Sequence, residues 1–266
     1  MANEYKLKFD NLKCKLGDYE YFSQVNLPVY IDNEEEIFNI IRFNLNKDII
    51  DNAIELAAKK SKYTMSYDQS GKKRPNNIKL ANQTKGILAE IGVQLILEKI
   101  LQAPQVKRWD LERDSFEYSD EEYDVKFAYN GKEFVCESRS STSYKTSLNE
   151  FIGRYHVIGS YTSVRKHSEG NNAFYFRPVF QYKNYNKEWT ELPYEKKTNT
   201  LMDLDSGELE LYFVSGATLK EMNGPYSESG NNNQGRTMYN QIRMIHTGDI
   251  NDFLEKLVHT AKKLAK

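Results

Sequence analysis

The sequence predicts an α/β fold with an N-terminal helical extension, and three observations predict it. Asn130-Gly131 joins two short runs of alternating apolar and polar residues, the strongest local signal for a β-hairpin. Lys85 to Leu101 (KGILAEIGVQLILEKIL) is apolar on nearly every side, the pattern of a helix that belongs inside a fold. Asp249 precedes a run in which Ile250, Phe253, Leu254, Leu257, Val258, Ala261 and Leu264 share one helical face. At 266 residues the chain can bury a substantial core. It is expected to divide into a mostly helical extension over residues 1–80 and a main domain over 81–266.

Residues 5–31 are mixed, with short apolar runs such as Val25 to Ile31. From Asp32 the spacing predicts a helix. Asp32 or Asn33 can cap it, Glu34 to Glu36 suit its positive end, and Ile37, Ile40, Ile41 and Leu45 recur at helical intervals. A second helix is expected from Asp48 through Ala58, with Lys59, Lys60 and Lys62 complementing its C-terminal dipole. Lys62 to Thr84 is polar and basic around Gly71-Lys72-Lys73-Arg74-Pro75. It reads as an exposed loop, either a solvated connection or a phosphate-contacting one.

Within the apolar helix, Glu90, Gln94 and Glu98 are spaced by four and form one polar stripe. A carboxylate buried there needs a cation or hydrogen-bonding partners; the plain alternative is a narrow solvent face. Residues 105–122 read as a strand edge followed by a loop. In the hairpin, Val125 and Phe127 face one side, and Phe134 and Cys136 alternate against Glu133, Val135 and Glu137. Asp124 begins one strand and Glu137 nears the end of the other, so antiparallel pairing brings the two carboxylates together at the open end. Carboxylates that close repel unless a cation lies between them, and such oxygen ligands suit Mg²⁺ or Mn²⁺. An ordinary exposed acidic pair is the alternative.

Beyond the hairpin, Leu148, Phe151, Ile152 and Tyr155 suggest a helix or a turn into one. Ala173 to Gln181 reads as a strand, at an edge or with a bulge because of Pro178. Glu208 to Val214 is another strand, Thr218 to Met222 a short helix, Asn223 to Arg236 a mobile surface loop and Gln241 to His246 a final strand.

A net charge of −1 argues against a protein that coats nucleic acid, but leaves room for an acidic site offsetting a basic groove. Cys14 and Cys136 lie far apart and the four histidines lack ligand spacing, so neither a disulfide framework nor zinc is supported. The polar N-terminus has no signal-peptide core and no run reaches the roughly 20 apolar residues of a membrane span. A soluble, cytoplasmic protein is expected.

A helix with an inward Glu, a strand opening with Asp, a tight turn and a strand ending Glu-x-basic: in this order the set resembles the PD-(D/E)xK nuclease superfamily, which includes type II restriction endonucleases. Asp124 falls on the first-strand Asp, with Tyr123 in place of Pro. Glu137-Ser138-Arg139 falls on the (D/E)-x-K element, Ser140-Ser141 follow it, and Glu90 matches the helix acid. The resemblance implies a restriction-endonuclease-like core, a central mixed β-sheet flanked by helices. It implies Mg²⁺, with Mn²⁺ as substitute, held by Glu90, Asp124, Glu137 and the Ser138 carbonyl, and hydrolysis of DNA leaving a 5′-phosphate. Arg139 stands where Lys is usual. It remains protonated and so cannot act as a base, but it can hold a water and neutralise developing charge. Lys126 can supply an ammonium instead, or is a surface lysine.

The implied substrate is double-stranded DNA, cut at a specific sequence by a restriction enzyme. Lys72, Lys73, Arg74, Ser140 and Ser141 are candidates for contacting it, and Asn232 and Arg236 for reading base edges. A palindromic site would require a homodimer, and a cognate methyltransferase encoded separately would accompany it. Two alternatives stand beside this: a catalytically inactive nucleic-acid-binding module of the same fold, and a nuclease acting on RNA or branched DNA.

Overall fold

The computed structural model describes residues 20–31, 34–63, 73–103, 105–117, 123–163, 173–186, 194–231 and 237–265. Strand β1 (Phe22–Ile31) pairs along its whole length with β2 (Glu34–Phe43), where the sequence predicts a helix. Ile37, Phe38, Ile40, Ile41 and Phe43 are β-branched or aromatic, residues that fit a pleated surface. Phe38 and Ile40 are buried on one face of the sheet, Ile41 and Phe43 on the other. A strand buried on both faces imitated the spacing of a helical stripe.

The helix expected next forms as α1 (Lys47–Ser61), one residue earlier than predicted because the Asn46 side chain caps it by accepting from the Ile49 N–H. Helix α2 (Asn76–Leu95) continues into a π-helical turn (Ile96–Ile100), and its first turns take up residues 76–84, expected as loop. Gly92 lets α2 lie against the sheet: a Cβ there would sit 2.4 Å from the Phe213 ring.

Next come β3 (Lys107–Arg108), the short α3 (Trp109–Glu112), the hairpin strands β4 (Val125–Tyr129) and β5 (Lys132–Ser138), and β6 (Ser141–Ser143). Helix α4 (Leu148–Arg154), β7 (His156–Ser163), β8 (Phe174–Tyr182), α5 (Tyr194–Asp205) and β9 (Leu209–Thr218) follow. The chain ends with α6 (Leu219–Met222), β10 (Ser227–Asn231), β11 (Thr237–Arg243), α7 (Met244–Thr247) and α8 (Ile250–Leu264). Strand β10 occupies part of the segment expected as a mobile loop, because it pairs with β11.

The main sheet is mixed, in the order β1-β2-β9-β8-β5-β4-β3, with β6 also on β8. Its described pairs are antiparallel except β5 and β6 against β8. Pro178 falls at a register shift between β8 and β9, so β8 is an interior strand carrying the expected bulge. Helices α1, α2 and α8 cover one face over a core that includes Phe127, Phe174, Phe176 and Phe213. Helix α4 and strands β7 and β11 cover the other, over Val29, Tyr175, Val179 and Val214. This is an α/β fold with helices flanking a mixed central sheet. Strands β1 and β2 belong to that same sheet and α2 runs through residue 80, so the first 80 residues contribute a strand pair as well as a helix. Asp249 caps α8 and accepts from the Asn39 N–H at 2.9 Å, joining α8 to β2. None of the described helices is long and apolar enough to cross a membrane.

Candidate functional site

Asn130 (φ 48°) and Gly131 (φ 77°) both adopt the left-handed conformation that a two-residue primed turn needs. The turn sets the register, which runs from Tyr129 opposite Lys132 to Val125 opposite Cys136. One step further, Asp124 lies opposite Glu137 at the open end. The Asp124 Oδ2 accepts the Ser138 backbone N–H at 2.7 Å, and its carbonyl accepts from the Trp109 N–H at 3.3 Å. A residue at a strand mouth is thereby held from β5 and from the start of α3.

Under α2 lies an acidic centre. Glu90 is only 8% exposed. Burial and the neighbouring Asp124 charge push its carboxyl well above the usual carboxylate range; Asp110 adds to this, while Lys60 and Arg108 oppose it. Asp110 opens α3 and is buried as well. Lys60, at the end of α1, bonds the Asp110 Oδ2 at 2.8 Å, and Arg113 lies 3.9 Å from the Oδ1. Glu98 in the π turn accepts from Gln94 at 2.8 Å. Of the expected polar stripe, Glu90 alone turns fully inward.

A second centre is cationic. Alternation along β5 sends Cys136 into the core beneath α2 and Glu137 to the opposite face, beside Tyr175 of β8. There the Glu137 Oε1 bonds the Arg139 Nη2 at 2.9 Å. Between β5 and β6 the chain bends at Arg139-Ser140, and Arg177 fastens the bend. Its Nη1 donates to the Arg139 carbonyl at 2.7 Å and its Nη2 to the Ser141 Oγ at 2.8 Å. The Arg177 guanidinium also lies over the Phe151 ring. Burial, with the Arg139 charge beside it, lowers Arg177 to about 10. Near β6, Lys85 donates to the Thr142 Oγ1 at 2.9 Å, and burial pulls it down to about 8.

The structure therefore brings Glu90 to Asp124, Asp124 to Ser138, and Glu137 to Arg139. It sends Lys126 elsewhere: its ammonium bonds Glu133 at 3.3 Å and lies over the Tyr123 ring. Lys73 is exposed and Arg74 half-buried, just ahead of α2. Lys72, Asn232 and Arg236 lie outside the described residues. Sequence reasoning missed Lys60, Arg108, Asp110 and Arg177. Arg177 left a trace, as the one charge in the otherwise apolar AFYFRPVFQ. The others left none, because a Lys at a helix end and an Asp in a charged loop look like surface.

Two carboxylates within each other's field, buried Glu90 and half-buried Asp124, form a donor pair of the hard-oxygen kind that divalent cations take. Among the described residues no three His, Cys, Asp or Glu side chains come close enough to hold a metal ion together. No family model and no solved structure matches the chain. An uncharacterized protein of Methanocaldococcus jannaschii, MJECS01, is 28% identical over 243 residues, spanning 85% of this chain and 87% of that protein.

Proposed function

We propose that this chain is a Mg²⁺- or Mn²⁺-dependent endonuclease of the PD-(D/E)xK type that hydrolyses DNA phosphodiester bonds, a restriction-like defence enzyme. The observation that carries this reading is the open end of the β4–β5 hairpin. Buried Glu90 faces Asp124 there, and Asp124 is bonded to the backbone of the same Glu-Ser-Arg element that presents Glu137 and Arg139. The mixed sheet flanked by helices is the architecture the resemblance implies. Glu90 and Asp124 would hold the ion, with the Ser138 carbonyl as a further donor, while Glu137 on the opposite face would position Arg139. A divalent ion there supplies Lewis-acid polarisation of the phosphate and a more acidic attacking water.

The chain's own part is positional. The Ser138 N–H fixes the Asp124 carboxylate, and Arg177 fixes the backbone on which Arg139 is carried. Arg139 offers a permanent charge to a phosphate whose negative charge grows during attack. The Glu137–Arg139 pairing also favours a second reading, a binding module that uses this fold without hydrolysis.

Purified protein incubated with supercoiled plasmid and Mg²⁺ or Mn²⁺ is expected to give cleavage that EDTA stops and that Asp124→Ala and Glu137→Ala lack. Intact plasmid under every divalent ion, with DNA still bound in a mobility-shift assay, would establish the binding module. Smearing, or cleavage of RNA or branched DNA alone, would change the substrate.

A further inference from the structure

Helices α1 and α2 part and leave a groove of about 400 Å³. Ile49 and Leu56 of α1 and Ile91 and Leu95 of α2 form its walls, and Arg108 of β3 lies in its floor. Arg108 is 8% exposed, and its Nε and Nη1 are buried without a hydrogen-bond partner. A buried guanidinium normally satisfies its five donors, and leaving them idle costs free energy. Three carboxylates lie within electrostatic reach, Glu90, Asp110 and Glu98, yet none bonds it. Asp110 is taken by Lys60, and the Glu98 Oε1 by Gln94. At the mouth Glu55 and Lys59 bond each other at 2.8 Å, so the rim adds little net charge. Leu111, also lining the groove, is 60% exposed.

We infer that this groove binds a small organic carboxylate with an apolar body, its charge seated on Arg108 and its body between α1 and α2. A cation set among aliphatic walls selects for a molecule that is anionic at one end and apolar along the rest. The volume suits a body of roughly ten heavy atoms, at the lower end of ordinary ligand pockets. A simple inorganic anion would leave the walls wet, and a neutral hydrocarbon would leave Arg108 unpaired. The assignment does not rest on nuclease activity. It does touch the same framework: Trp109, the next residue, bonds the Asp124 carbonyl.

The probe is sodium octanoate, with octan-1-ol and octyltrimethylammonium as neutral and cationic matches, followed by calorimetry and by Trp109 fluorescence beside the floor. Octanoate is expected to bind saturably, one molecule per chain, and roughly tenfold or more tighter than octan-1-ol, as a charge-assisted bond requires. Arg108→Met should weaken octanoate binding by a similar factor while keeping the volume of the floor. Should that variant fail to fold, Ile91→Trp, which fills the groove and leaves Arg108 intact, is expected to abolish binding with an unchanged circular dichroism spectrum. Absent or unsaturable octanoate binding, equal affinity for octan-1-ol, or undiminished binding by Ile91→Trp would each overturn the assignment.

Discussion

The two ends of the hairpin mouth differ in charge and in how that charge is held. Beneath α2, two buried acids (Glu90 and Asp110) and the half-buried Asp124 face a limited set of cations, and Glu90 is driven toward its neutral form. Across the sheet, Arg139 and Arg177 gather beside Glu137, and the guanidinium of Arg177 is bonded to main chain and hydroxyl. The sheet itself enforces this partition, since successive residues on β5 point to opposite faces. An acid-rich pocket is suited to accept a cation. A cation cluster braced by backbone oxygens is suited to hold a shape. One half looks built for a ligand, the other for rigidity.

The largest effect comes from the acidic half. Asp124→Asn and Glu90→Gln should each lower metal-dependent plasmid cleavage on the order of 10³-fold while the fold survives. Quantified nicking rates beside thermal melts check this, and a variant that cuts normally would place the chemistry elsewhere. In the cationic half the damage should be structural. Arg177→Ala leaves the Arg139 carbonyl and Ser141 without their donor and should cost about 3 kcal/mol, measured by urea unfolding. Lys60→Met, which strips the buried Asp110 of its nearest cation, should cost about 2 kcal/mol by the same measurement, since Arg113 remains nearby.

Glu90 sharpens the comparison through pH. Its folded pKa lies above its unfolded value, so its contribution to stability is full in acid and is lost as pH rises through the folded pKa. Metal-free protein should therefore lose stability on going from acid to neutral pH, and Glu90→Gln should flatten that slope. Denaturation curves at several pH values decide it; identical slopes would mean that Glu90 is already satisfied. The smallest effect belongs to the turn. Gly131→Ala, at φ 77°, should cost about 1 kcal/mol without altering the site.

Local chemistry made the hairpin readable: Asn-Gly and strict alternation fix both turn and register, and with them the opposition of Asp124 and Glu137. The amphipathic pattern behind Asp249 likewise gave α8. What could not be read depended on partners far along the chain. Ile37 to Phe43 looked helical because one-dimensional spacing does not say that both faces of a strand will be covered. Residues 76–84 looked like loop because their helix is sustained by tertiary packing of Ala81 and Thr84. The acid centre was half visible: Glu90 and Asp124 stood out, but Lys60 and Asp110 meet only when α1 docks on α3. That Glu137 turns toward Arg139 while Asp124 turns toward Glu90 follows from the twist and ending of two strands, which no spacing records.

The order of strands carries a consequence for how the protein is made. β2 has its inner neighbour in β9, so the β1–β2 hairpin waits with an open edge until residues 209–218 have been made. Such an edge is a template for pairing with another nascent chain. Truncations that stop before Leu209 should therefore be found in aggregates, and the charged tip Glu34-Glu35-Glu36 is placed where it repels a like edge during that wait.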